Sequence, residues 1–152
     1  AEKIKDEGSF EATYVKREAL PVPDQEGHVL RQTEANGTSR NPGGLIDGFS
    51  TTAYEISDLR QGNGSHQGYV IFKKNADQQV VKFDGEVTTT MLDGQPKTTM
   101  KGKYIIVDGT GALASIEGEG TYAGYFTAED TYHVDWEGSR SQPNASVAQS
   151  KQ

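Results

Sequence analysis

The chain has 152 residues, enough for one domain with a single core, and with 33 % hydrophobic against 24 % charged residues it is polar for a globular protein. Its formal net charge of −7 and the lack of a basic stripe argue against nucleic-acid backbones and anionic membrane faces as partners. The absence of cysteine excludes disulfide scaffolds, thiolate metal centres and thiol nucleophiles, and no apolar run is long enough to span a bilayer.

The apolar residues fall in short alternating runs, the pattern of strands rather than of disorder. Glycine is abundant, leucine scarce, and Thr, Val and Tyr recur within the runs, which favours strands over helices. The chain opens Ala1-Glu2-Lys3 without an initiator methionine, which fits the end left by a signal peptidase, so a periplasmic or secreted protein is expected.

In chain order, residues 8–16 alternate with Phe10, Ala12 and Tyr14 on one side and read as the first strand. Residues 19–27 carry Pro21 and Pro23 and read as a loop. Residues 28–35 read as a strand polar on both faces, and residues 36–44 as a loop by composition. The run 49–59 sets Tyr54 and Ile56 opposite Ala53 and Glu55. A glycine-bearing turn region, 61–67, precedes a strong strand at 68–74. Asn75-Ala76-Asp77 then turns the chain into residues 79–83, the clearest hairpin.

A Thr-rich strand at 86–92 leads to Asp93-Gly94, the favoured pair for a two-residue turn because both positions need positive φ. Residues 98–107 run back, and a glycine-punctuated segment follows at 109–120, with a short helical turn expected near 111–115. Residues 122–127 and 132–137 make the last hairpin around Ala128-Glu129-Asp130. Residues 139–152 are read as a polar, flexible tail behind a single barrel domain at 1–138. The total is eight or nine strands at near-regular spacing, which predicts a barrel or a sandwich.

One internal echo stands out. Gly62-Asn-Gly-Ser-His-Gln-Gly-Tyr69 matches Gly118-Glu-Gly-Thr-Tyr-Ala-Gly-Tyr125 as Gly-x-Gly-[Ser/Thr]-x-x-Gly-Tyr, 56 residues apart, and could mark equivalent corners of two barrel halves. Neither glycine cluster has the dinucleotide spacing or a following helix, and no phosphate loop or serine elbow is present. His28, His66 and His133 are far apart in sequence, so no metal site and no cofactor are expected.

The stretch 130–136 alternates, with Tyr132, Val134 and Trp136 on one face and His133, Asp135 and Glu137 on the other. With the first face inward, Tyr132 and Trp136 are core or pocket wall. With the second inward, His133 and Asp135 form a buried polar pair able to move protons. Glu117 and Glu119 also share a face, read as a solvated face or as an acid–base pair.

The segment Asp108-Gly-Thr-Gly-Ala-Leu-Ala-Ser-Ile-Glu-Gly-Glu-Gly-Thr-Tyr122, with the order of strands and turns before it, resembles the allene oxide cyclase and dirigent-type barrels over roughly residues 29–138. The resemblance implies an eight-stranded antiparallel β-barrel with an apolar cavity. Such relatives include cyclases of oxidised fatty acids, proteins that steer radical coupling and bacterial members of unassigned activity. No match to the substrate-binding residues of the plant cyclases is recognised, so no catalytic residue is carried over.

The reading is therefore an all-β barrel that binds a small apolar ligand in its interior, with Tyr104, Tyr132, His133, Trp136 and Glu119 as pocket residues. The alternatives are a cofactor-free cyclase or isomerase using a polar group such as His133, Glu119 or Lys101, and a structural module. The last would form homo-oligomers through exposed strand faces such as the 87–100 hairpin.

Overall fold

The computed structural model describes residues 2–143. Eight antiparallel strands form one closed ring: β1 (Lys3–Pro21), β2 (His28–Arg40), β3 (Ser50–Arg60), β4 (Asn63–Lys74), β5 (Asp77–Leu92), β6 (Gln95–Thr110), β7 (Gly118–Ala128) and β8 (Thr131–Ser141). Each strand pairs with its sequence neighbours. The ring closes where β1 meets β8, from Lys3 opposite Ser141 to Thr13 opposite Thr131. Closure leaves most backbone donors and acceptors paired and removes the free edges that invite aggregation. Among the described residues no helix is long and apolar enough to cross a membrane.

The turns form where the sequence demands. Asp93 and Gly94 both take positive φ, and Gln61-Gly62 makes a second turn of the same kind, so β4 begins already at Asn63. Several strands outrun the sequence reading. β1 extends from Lys3 to Pro21 and β2 to Arg40, into segments expected to be loops. Ladder hydrogen bonds, Leu20 opposite Leu30 among them, carry these stretches despite their prolines and glycines. β8 continues to Ser141, three residues past the expected end of the barrel, while residues 144–152 of the expected tail lie outside the described part. A 3-10 turn occupies Gly111–Leu113 within the segment expected to hold a helical turn.

Alternate residues point inward, and the core is aromatic. Phe10, Phe72 and Trp136 pack with ring centroids 5.7–6.4 Å apart, and Tyr132 joins Phe10 at 6.4 Å. The register of β1 on β8 decides the face that the sequence left open: Phe10 faces Val134, so Tyr132, Val134 and Trp136 are inward and buried.

The two ends of the ring differ. One end is plugged by the β2–β3 connection, residues 41–49, which sends Ile46 and Phe49 into the core beside Leu113 and Ile116 of the β6–β7 connection. Asn41 anchors the plug. Its Nδ2 donates to Asp6 Oδ1 and to the Glu7 carbonyl, both at 2.9 Å, and its Oδ1 accepts from the Ile46 N–H at 3.1 Å. Ser39 also donates to the Ile46 carbonyl. Pro42, Gly43, Asp47 and Gly48 stay exposed, while the buried Asn41 and Ile46 have their polar groups met by these bonds.

The other end carries the short β3–β4, β5–β6 and β7–β8 turns and is open. There β1 bulges between Tyr14 and Lys16 against β2. The extra residue shifts the alternation, so Arg17 rather than Lys16 faces into the mouth beside Arg31.

Candidate functional site

Inside the barrel lies a cavity of about 60 Å³. Its wall includes Phe72, Val81, Phe83, Tyr132 and Trp136, and its polar lining includes Glu55, His66 and Tyr122. The volume matches a couple of water molecules. Glu55 and Met100 also line a larger vestibule of about 640 Å³ at the mouth, walled by Tyr14, Arg17, Arg31 and Phe126. Glu55 and Met100, common to both walls, set the inner cavity and the vestibule side by side.

The polar group at the base is built by strand register. His66 on β4 sits opposite Gly85 on β5, Gly85 opposite Gly102 on β6, and Gly102 opposite Tyr122 on β7. Two consecutive glycines in this row leave a trough on the inner surface. The Tyr122 ring lies along it, so a Cβ at either glycine would stand 2.5 Å from its hydroxyl. Lying flat, the phenol reaches His66, with Tyr122 Oη 2.7 Å from Nε2. On the other side of the ring, His66 Nδ1–H donates to Glu55 Oε1 at 2.8 Å. Phe83 packs edge-on against both rings, 5.3 Å from His66 and 5.8 Å from Tyr122.

The result is a hydroxyl–imidazole–carboxylate chain. The His66 side chain is 2 % exposed and that of Glu55 15 %. With Nδ1–H committed to Glu55, Nε2 accepts a hydrogen bond from the Tyr122 O–H, and the lone pairs of the phenol oxygen are left for the cavity. Burial, reinforced by the charges of Glu55 and Asp84, pushes the Tyr122 pKa well above that of a free phenol, so its proton is held at neutral pH.

A second row repeats the construction. Tyr104 on β6 faces Gly120 on β7, Gly120 faces Gly138 on β8, and Gly138 faces Asp6 on β1. The Tyr104 ring lies over both glycines, where added Cβ atoms would meet its hydroxyl at 2.5–2.6 Å. Burial, then the charges of Asp6 and Glu137, raise its pKa. Near this end Arg140 Nε lies 4.0 Å from Asp6 Oδ1.

At the mouth the guanidiniums of Arg17 and Arg31 lie 5.3 and 5.9 Å from the Tyr14 ring centroid. Tyr14 is pushed up to about 12 by burial and then by the charge of Glu55, against the opposing pull of the two arginines.

Of the residues singled out in the sequence, Tyr104, Tyr132 and Trp136 line the cavity. His133 and Glu119 do not join them. His133 faces outward, bonded to Asp135 at 2.9 Å and stacked near Tyr125 at 5.3 Å. Glu119 is exposed on the outer face of β7, and Lys101 is exposed on β6. Their strands place them one residue out of phase with the inward set.

Sequence reasoning missed Glu55 and His66, although a signal for His66 existed. His66 and Tyr122 occupy the same fifth position of the two glycine echoes, each flanked two residues away by inward glycines. The 56-residue spacing of the echo is the separation of the two residues that bond.

Two solved structures resemble this one in the course of the chain. The pterocarpan synthase dirigent protein GePTS1 aligns with a TM-score of 0.47 at 13 % identity, over 91 % of this chain and 87 % of that one. The pterocarpan synthase dirigent protein PsPTS1 aligns with a TM-score of 0.48 at 11 % identity, over 95 % and 97 %. No protein-family profile and no curated protein matches the chain.

Proposed function

We propose that the protein binds a small, mainly apolar molecule through the open end of the ring. The polar end of the molecule enters the 60 Å³ base and its body fills the vestibule. The observation that carries this reading is the asymmetry of the ends. One end is closed by the plug, while the other opens past Tyr14 toward an aromatic cavity whose lining carries Glu55, His66 and Tyr122 as a bonded polar chain. Apolar walls with few convergent polar groups are the common make-up of small-molecule sites.

The reading is tested by methyl NMR with phenylacetone at millimolar concentration. Binding inside moves the inward methyls of Val70, Val81, Ile106 and Val134 and leaves the outward Ile105 and Val107 in place. Shifts confined to the outward methyls, or none, contradict it.

A further inference from the structure

We propose that Tyr122, His66 and Glu55 form a proton relay that removes a proton from the carbon next to the carbonyl of a small ketone or aldehyde held in the barrel. The proposal rests on the interior binding reading and adds the chemistry done there.

Three observations carry it. The three groups bond in one line at 2.7 and 2.8 Å, the arrangement in which a carboxylate fixes an imidazole so that its far nitrogen can take a hydroxyl proton. All three line the cavity, so the chain ends where a ligand would sit rather than in solid core. The surroundings are aromatic, with Phe83 against both rings, and among the described residues the cavity wall presents no serine or lysine to act as a covalent nucleophile. Proton transfer is the chemistry such a set performs without a cofactor.

The step balances within the protein and its ligand. The C–H bond breaks and its proton passes to Tyr122 Oη, while the proton Tyr122 held moves to His66 Nε2. The C–H electron pair forms a carbon–carbon double bond, and the carbonyl π pair moves onto oxygen to give the enolate. The imidazolium formed at His66 is balanced by the Glu55 carboxylate at Nδ1. Reversal returns a proton to carbon and restores the relay. Tyr122 is the catalytic residue, and His66 and Glu55 act through it.

The test is hydrogen–deuterium exchange next to the carbonyl of butanone and phenylacetone in D2O, followed by proton NMR with the full chain. Exchange is expected to run above the buffer rate and to fall by about 10²-fold or more in Tyr122→Phe. Glu55→Gln is expected to lower the maximal rate while the ketone concentration for half-maximal rate and the inward methyl shifts stay as in the unsubstituted chain. A merely structural Glu55 would move stability and binding instead. Circular dichroism establishes that each variant is folded.

Wild-type exchange no faster than buffer while phenylacetone shifts the inward methyls overturns the relay and leaves the binding reading standing. Equal rates in wild type and Tyr122→Phe also overturn the relay. Phenylacetone that fails to shift the inward methyls removes the binding reading, and the relay with it.

Discussion

Two tyrosines cross the inside of this barrel on the same kind of track and arrive at different destinations. Tyr122 lies over Gly102 and Gly85 and ends on the imidazole of His66; Tyr104 lies over Gly120 and Gly138 and ends toward the carboxylate of Asp6. The tracks share their physics. A pair of glycines facing each other across adjacent strands leaves the inner surface bare, and a phenol from the next strand covers it. What differs is the residue at the end of the row and the end of the barrel it belongs to. The His66 row meets Glu55, which also lines the open vestibule, whereas the Asp6 row meets Asn41 and the plug. One architectural device thus supplies a polar chain beneath the entrance and a polar anchor at the sealed floor.

The comparison can be broken most forcefully at the glycines. Gly102→Ala and Gly138→Ala each drive a methyl into neighbouring backbone as well as into a tyrosine hydroxyl. Each is expected to cost about 1–3 kcal/mol, read as a fall of several degrees in Tm. The two should part in a second measurement: Gly102→Ala perturbs the His66 ring resonances, and Gly138→Ala leaves them in place. Equal disturbance of His66 by both would show that the tracks are not separate.

Removing the hydroxyls leaves the backbone in place and separates the two rows more sharply. Tyr122→Phe leaves the buried Nε2 of His66 without its donor and is expected to destabilise by about 1–3 kcal/mol. Tyr104→Phe removes a hydroxyl with no comparable imidazole partner, and its cost is expected to stay within about 1 kcal/mol by chemical denaturation. The reverse order would contradict the roles assigned to the two rows.

The smallest effect concerns how each end is fastened. At the open end His28 donates to Asp24 Oδ1 at 2.5 Å and to Asp58 Oδ1 at 2.6 Å, tying the β1–β2 connection to β3, with Arg60 beside both carboxylates. The bonds to Asp24 and then Asp58 raise the His28 pKa from 6.5, and the bond to His28 lowers that of Asp24 from 3.8. A raised histidine stabilises fully below its unfolded value and loses that contribution as pH climbs through its folded value. A lowered aspartate stabilises above its unfolded value and loses the contribution as pH falls through its folded one. The clasp is therefore tightest between about pH 4 and 6.5. Amide protection in residues 22–27 should decline as pH rises above this window, and the decline should vanish in His28→Gln.

The fold was largely legible because alternation and turn chemistry are local. Asp93-Gly94 set a hairpin, and 68–74 with 79–83 set another, as expected. Strand lengths were less legible, since the ladder on β2 holds β1 in strand through Leu20 where propensity alone reads a loop. The plug was hidden because residues 41–49 have the composition of a surface loop, and only tertiary packing turns Ile46 inward.

The site was half legible. Tyr132 and Trp136 share a period, but which face of β8 points inward depends on its register with β1, which no single strand encodes. Glu55 was obscured by an inversion: on β3 the large Tyr54 and Ile56 face solvent while Ala53 and Glu55 face the interior. Size cannot be read as depth where the interior already holds crossing aromatic rings.

Where a ligand lies is decided most directly by a crystal structure of the protein with phenylacetone. The ligand is expected in the barrel, its carbonyl end in the inner cavity within reach of the Tyr122 hydroxyl and its ring in the vestibule near Tyr14. Density for the ligand only on the outer strand faces, with the Tyr122–His66–Glu55 chain walled off from it, would contradict the account.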